Sequence, residues 1–276
     1  MILDVWLRLW RNASAIIGLV IVTTLVICAL LGPLVWRVDP LAQNIVLGPQ
    51  TPSWQHPLGT DKLGRDMLAR MLFGARTSIR IGFVAVGLAI SAGTTIGLIA
   101  GYVRGRVDAV LMGAMDLMLA FPTIILAIAI TTLLGPSINN LMLAVGIVYI
   151  PQYARLCRSS VLALRDVEFV EAARALGAIA PRVVIRHILP NVLAPLLVQA
   201  TLGIATAELE AAGLSYLGLG ARPPAPEWGA MLNDARDYWL SAPWALIFPG
   251  SAITLVVLGF NLLGDGLRDA LDVKLR

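Results

Sequence analysis

Five predominantly apolar stretches of this chain contain no Asp, Glu, Lys or Arg, and they run 12–36, 81–103, 117–154, 187–207 and 238–264. A helix crosses the ~30 Å hydrocarbon of a bilayer in about 20 residues, so each window is long enough to span it. The third window holds 38 residues, too many for one crossing, and Gly135-Pro136-Ser137 divides it at a natural turn. Six helices follow, at 13–36, 80–103, 108–134, 138–160, 190–220 and 243–265. The fold class is all-α, a polytopic membrane protein with six transmembrane helices. Composition agrees: 58% of residues are hydrophobic and 14% charged, where a soluble domain carries about 25% charged. Those figures exclude a disordered chain and a water-soluble enzyme with a polar shell.

An even number of spans puts both termini on one side. If that side is cytoplasmic, thirteen Lys and Arg residues flank it, Arg8, Lys274 and Arg276 among them, and eight lie on the other side. Six of those eight belong to the 37–80 stretch, whose length weakens its influence on orientation. The bias predicts a multi-pass membrane protein with cytoplasmic N- and C-termini. The net charge of +4 is spread along membrane flanks instead of one face, so nucleic acid is not an expected partner. Cys28 and Cys157 form no disulfide framework. The first span exceeds a signal-peptide core and reads as an uncleaved anchor. Three parts are expected: 1–37 with the first span, an outer loop and amphipathic helix at 38–79, and a five-helix core at 80–276 with a cytoplasmic loop at 161–190.

Within the outer segment, Leu63, Met67, Leu68, Met71 and Leu72 recur at helical spacing, and Asp66 with Arg70 makes an i,i+4 pair on another face. An interfacial helix that frames the entrance and a simple lead-in to the second span both fit. The second span carries Gly93, Gly97, Gly101 and Gly105 at four-residue spacing, a stripe that lets helix backbones approach closely in lipid. Either this chain or a second subunit could supply the facing helix.

No catalytic constellation emerges. The two histidines, His56 and His187, fall on opposite sides in this topology, which leaves no His/Cys metal cluster. Neither Lys62 nor Lys274 follows a glycine, so the chain has no Walker A loop, and any ATP is hydrolysed on another chain. Three acids stand inside spans, where charge is expensive: Asp116, Glu208 and Glu210. They are candidates to line a translocation path and attract a cationic group; hydrogen bonding between helices is the alternative. Glu208 and Glu210 point about 200° apart and do not share a cavity.

The loop between the fourth and fifth spans carries the most specific pattern. Asp166 reads as an N-cap, Glu168 and Glu171 suit a positive helix start, and Gly177 permits a reversal. Pro181 opens a second short helix and Pro190 ends it. Ala172 and Ala173 leave a shallow surface for another protein.

The run Glu171-Ala172-Ala173, then Gly177, then Leu189-Pro190 resembles the EAA loop of ABC-importer permeases, with His187 where the pattern has Ile and Ile188 beside it. His56-Pro-Leu-Gly-Thr-Asp61-x-x-Gly64-Arg65-Asp66 and Leu214-Ser-Tyr-Leu-Gly-Leu-Gly220, followed by Glu227-Trp228-Gly, resemble the C-type permease of the dipeptide/oligopeptide/nickel importers. The resemblance implies a type I importer-like core and one half of a transmembrane pathway. It also implies a second homologous permease subunit, two ATP-binding subunits that use ATP and Mg, and an extracytoplasmic substrate-binding protein. Glu168, Glu171, Ala172, Ala173, Arg174, Gly177 and Pro190 would be the ATPase-coupling residues. The cargo it implies is a di- or oligopeptide, with nickel chelates and glutathione as alternatives. A stand-alone secondary transporter is the other class that six spans admit, although residues 1–138 and 139–276 show no internal repeat.

Overall fold

A computed structural model describes residues 9–271. Arg8, Lys274 and Arg276 lie outside the described residues. Helix α1, Ala13–Val35, starts where the Asn12 side chain accepts the amides of Ser14 and Ala15. Pro33 within it cannot donate to the Ala29 carbonyl. Arg76, reaching across from the next helix, bonds that oxygen at 2.6 Å, so the freed acceptor is satisfied inside the protein.

Helix α2, Met67–Val103, is a single element of 37 residues, about 55 Å long. The expected amphipathic helix is its first part, and the expected division at 79/80 falls inside it. Asp66 sets the start by accepting the Ala69 amide at 2.7 Å, and neither proline nor a positive-φ glycine interrupts the run. Arg104 and Gly105 then turn the chain at φ +63° and +60°.

The expected third span is broken. Helix α3, Gly105–Leu119, and helix α4, Thr123–Leu134, meet at 91°. Pro122 lacks the N–H that would reach back one turn, and it pushes Phe121 away from helical geometry. Helix α5, Ile138–Leu164, is 27 residues long and continues through Pro151. Then come α6, Glu168–Ala175, and α7, Ala180–Val183. A π-turn, Val184–Ile188, joins α7 to α8, Leu189–Tyr216. Helices α9, Trp228–Ala235, and α10, Trp244–Leu271, complete the chain.

Among the described residues, α1, α2, the stretch Ala180–Tyr216 and α10 are each long and apolar enough to cross a membrane, and the bent α3–α4 pair makes a fifth. Helix α5 supplies a sixth by length, about 40 Å. The most extensive helix interface is that of α2 with α5, while α10 packs on α1 and α8. A Cβ on Gly97 would stand 2.5 Å from the Ala154 carbonyl oxygen and 2.6 Å from Cys157 Cβ, both on α5; Gly93 and Gly101 face the same helix. Gly105 leaves the stripe: it is a turn residue with nothing near its missing side chain. The close approach needs the other three.

Gly97→Val therefore overpacks this interface and lowers stability by about 1–3 kcal/mol. Gly87→Ala, on the same helix but facing open space, does not. Thermal unfolding of the two purified variants checks this; equal midpoints would contradict it.

Candidate coupling hairpin and transmembrane pathway

The hairpin grows directly from α5 and feeds directly into α8. Asp166 is not its cap: Val167 holds that place, with no side-chain bond to the helix. Glu168 and Glu171 occupy the first turn of α6, near its positive end. Gly177 reverses the chain at φ +86°, and the Ala178 amide returns to the Ala173 carbonyl at 3.1 Å. Val170 and Ala173 are buried on the inner face of α6, so Ala173 faces the protein and is no part of an open surface. Glu168, Glu171, Ala172 and Gly177 are exposed. Leu176 is 89% exposed and Ile179 68%, an apolar tip beside the acids. Arg174 stacks over the Tyr102 ring at 5.5 Å, fixing the hairpin to the end of α2.

Pro190 does not end the second short helix. It cannot donate to the Arg186 carbonyl, so the ladder widens for one turn, with the Leu189 amide bonding Val184 O, and helix resumes. The segment Ala180–Tyr216 is thus one 37-residue rod from hairpin to membrane. Ile188 is fully buried under it and His187 only partly, so the core position belongs to Ile188.

A polar surface lies beside the break between α3 and α4. Arg155 Nη2 on α5 meets Asp116 Oδ1 on α3 at 2.5 Å, with side chains 54% and 56% exposed. One turn further along, Arg158 grips Asp108 through two bonds of 2.6 Å. Arg155 stands about 14 Å of helix rise from Leu164, the nearer end of α5. An exposed ion pair at that depth does not face lipid; such groups face a bundle interior or water. Leu119, Thr123, Val148, Tyr149, Gln152 and Arg155 line a half-open cavity of about 370 Å³ there.

The acids of α8 diverge. Glu208 is 2% exposed and lies against α2, close to Gly82, Ser78 and Glu227. Glu210 instead accepts a bond from Thr123 Oγ1 at 3.1 Å, beside the break. Glu227 caps α9, accepting the amides of Gly229 and Ala230 at 2.7 and 2.9 Å. Its burial raises the carboxyl above the ordinary range, against the pull of those amides.

At the opposite end, the His56–Asp66 motif folds into a buried ionic cluster. Arg65 Nε meets Asp61 Oδ2 at 2.6 Å, and Arg65 Nη2 reaches Asp234 at 3.4 Å. The expected Asp66–Arg70 pair is not formed. Asp66 accepts from Ala69 N, Trp36 Nε1 and His56 Nδ1, whereas Arg70 lies 3.5 Å from Asp61 and 3.9 Å from Asp234. Asp61, Arg65, Asp66 and Arg70 are all buried, so this is the interior of a folded cap, not a solvated helix face.

Comparison with known proteins decides the family. Residues 93–276 match the family described as binding-protein-dependent transport system inner membrane component, and residues 1–52 match the N-terminal transmembrane domain of oligopeptide transport permease C. The chain belongs to this family of ABC-importer permeases. It is 51% identical to the dipeptide transport system permease protein of Alkalihalophilus pseudofirmus, over 98% of this chain and 88% of that one. The di/tripeptide transport system permease of Pseudomonas aeruginosa is 44% identical over 99% and 92%. The glutathione transport system permease of Pectobacterium atrosepticum is 48% identical over 82% and 75%. In fold, the chain is similar to the inward-facing MetNI methionine ABC transporter, with a TM-score of 0.60 and 18% identity over 74% of this chain and 97% of that one.

This permease is an inner-membrane, multi-pass transport subunit. Sequence reasoning overlooked Arg155, Tyr149, Gln152 and Thr123 around the break, and in the ionic cap it missed Asp234 as the partner of the motif residue Arg65. Phe121-Pro122 near the start of the longest charge-free window was the available sign of the break; the pairing of Asp234 with Arg65 across 169 residues left none.

Removing one partner of a buried ion pair strands the other, at a cost of about 3–5 kcal/mol. Arg65→Ala therefore sharply lowers the unfolding midpoint of the purified permease. Arg65→Lys does not restore it, because one ammonium cannot span Asp61 and Asp234 as the guanidinium fork does. A wild-type midpoint in Arg65→Ala would contradict the cluster's role.

Proposed function

We propose that this chain is one half of the transmembrane pathway of an importer for di- or oligopeptides, working with a second homologous permease subunit. Two ATPase subunits, which bind ATP and Mg, dock on the exposed tip formed by Glu168, Glu171, Ala172, Leu176 and Ile179. A binding protein delivers substrate at the end that carries the ionic cap. The hairpin and both chain termini are then cytoplasmic. The dipeptide and di/tripeptide names of the relatives support this cargo; the glutathione relative makes glutathione a second reading for the same machinery.

The observation that carries the reading is the hairpin's continuity with α8. A push on its tip travels along an unbroken 37-residue helix into the membrane, past Glu210, with no flexible loop to absorb it. Gly177 keeps the tip turned, Arg174 ties it to Tyr102, and the π-turn carries the helix past Pro190 without a break. In the membrane, Asp116, Arg155 and Gln152 line the water-facing side, where the pathway runs between this subunit and its partner.

Loss of a charge-assisted contact at the tip costs about 1.5–3 kcal/mol, roughly ten- to hundredfold in docking. Glu171→Ala and Gly177→Val therefore insert and keep the permease pair but lose uptake, and ATP hydrolysis falls or no longer responds to the binding protein. Gly177→Asn, which tolerates positive φ, retains uptake. Assembly, stimulated ATP hydrolysis and transport measured together check this. Wild-type coupling in Glu171→Ala and Gly177→Val would refute the hairpin as the ATPase contact.

A further inference from the structure

Three side chains from three helices meet at the break: Thr123 at the start of α4, Tyr149 on α5 and Glu210 on α8. Thr123 occupies one carboxylate oxygen of Glu210, Oε1. The other oxygen, Oε2, is buried without a well-formed bond, and the neighbouring Tyr149 hydroxyl, also buried, faces Glu210 and can turn its O–H toward that carboxylate. A buried polar oxygen without a donor is costly, and more so when it is charged. Among the described residues Glu210 also forms no ion pair, and Arg155, which lines the cavity, is already matched by Asp116. Tyr149 and Thr123 line the cavity of about 370 Å³, within the ~300–1,000 Å³ span of small-molecule sites. The site thus holds a carboxyl group that two hydroxyls address and that no cation pairs, and what it lacks is a positive partner.

We propose that Glu210, with Tyr149 and Thr123, forms a subsite of the pathway that takes a primary ammonium group, the free amino end of a passing peptide. An ammonium carries three N–H donors and one positive charge. It donates to Glu210 Oε2 and to the Tyr149 hydroxyl oxygen and matches the charge that the two hydroxyls leave unmatched. Thr123 holds the carboxylate in place from its other oxygen. Glu208, turned into the interface with α2, takes no part. The assignment rests on the pathway reading above and adds the chemistry of what the pathway grips.

The test uses the assembled importer in lipid nanodiscs without its binding protein, with dialanine and N-acetyl-dialanine as probes in saturation-transfer NMR. The two share a backbone, and only the first has an ammonium. Dialanine is expected to give a transfer signal strongest at the residue bearing the amino group, and N-acetyl-dialanine at least tenfold less. Glu210→Gln, which still accepts from Thr123, reduces the dialanine signal about tenfold, and Glu210→Asp restores much of it. In proteoliposomes supplied with binding protein and ATP, the same Gln variant transports at least tenfold less dialanine at equal amounts of assembled complex. Equal signals from the two probes, or an undiminished signal in Glu210→Gln, would overturn the ammonium subsite and leave the pathway reading intact. No signal from either probe would overturn both.

Discussion

A guanidinium and a carboxylate held 2.5 Å apart, about half exposed and well below the end of α5, impose the condition on which the rest of the structure depends. Lipid does not solvate such a pair, so one side of the bundle must be kept wet or covered by another protein. Much of the local architecture serves that condition. Pro122 breaks the third span beside the pair, and the unwound backbone at the break opens toward a cavity instead of hydrocarbon. Gln152 and Arg155 stand near one another on the exposed side of α5, while Tyr153 and Cys157 on the other side are wholly buried against α2. One helix thus divides a dry interface from a wet one. The three glycines of α2 are what allow the dry side to close so tightly.

Rigidity is distributed to suit that division. At one end, the Asp61–Arg65–Asp234 cluster, with Asp61 and Arg65 buried and Asp234 partly so, welds the segment before α2 to α9. Its ions are costly to bury, and their geometry specifies one arrangement of the cap. At the other end, a hairpin of two short helices stays mostly exposed, its tip apolar and acidic, and continues through a π-turn into α8. In the proposed transport cycle the cap would resist motion and the hairpin would transmit it, the two being joined by the same bundle.

The positions of the spans were legible because exclusion of charge from hydrocarbon writes itself directly into sequence; five uninterrupted windows placed six helices. The hairpin was legible too, since Gly177 marks a positive-φ turn that few other residues tolerate. Other features depended on partners distant in the chain. Asp66 and Arg70 look like neighbours on one helix turn, yet Trp36, His56 and Asp234 draw them apart. Pro190 looks like a stop, yet one widened turn carries the helix past it. Glu208 and Glu210 differ by two positions and diverge by helical rotation, but only the packing of Thr123, which lines the cavity, tells that Glu210 is the one beside the break.

The central claim is that the side of α5 bearing Gln152 is wet in the assembled transporter. The most direct measurement places a single cysteine at Gln152, in a Cys28→Ser background with the buried Cys157 retained, and exposes the complex in nanodiscs to a charged, lipid-insoluble thiol reagent. Trp54→Cys, on a fully exposed loop, serves as the reference. The account predicts that the cysteine at 152 reacts in at least one nucleotide state, at a rate that changes when ATP is bound. A cysteine at 152 that stays unreactive with and without ATP, while that at 54 is labelled, would contradict it.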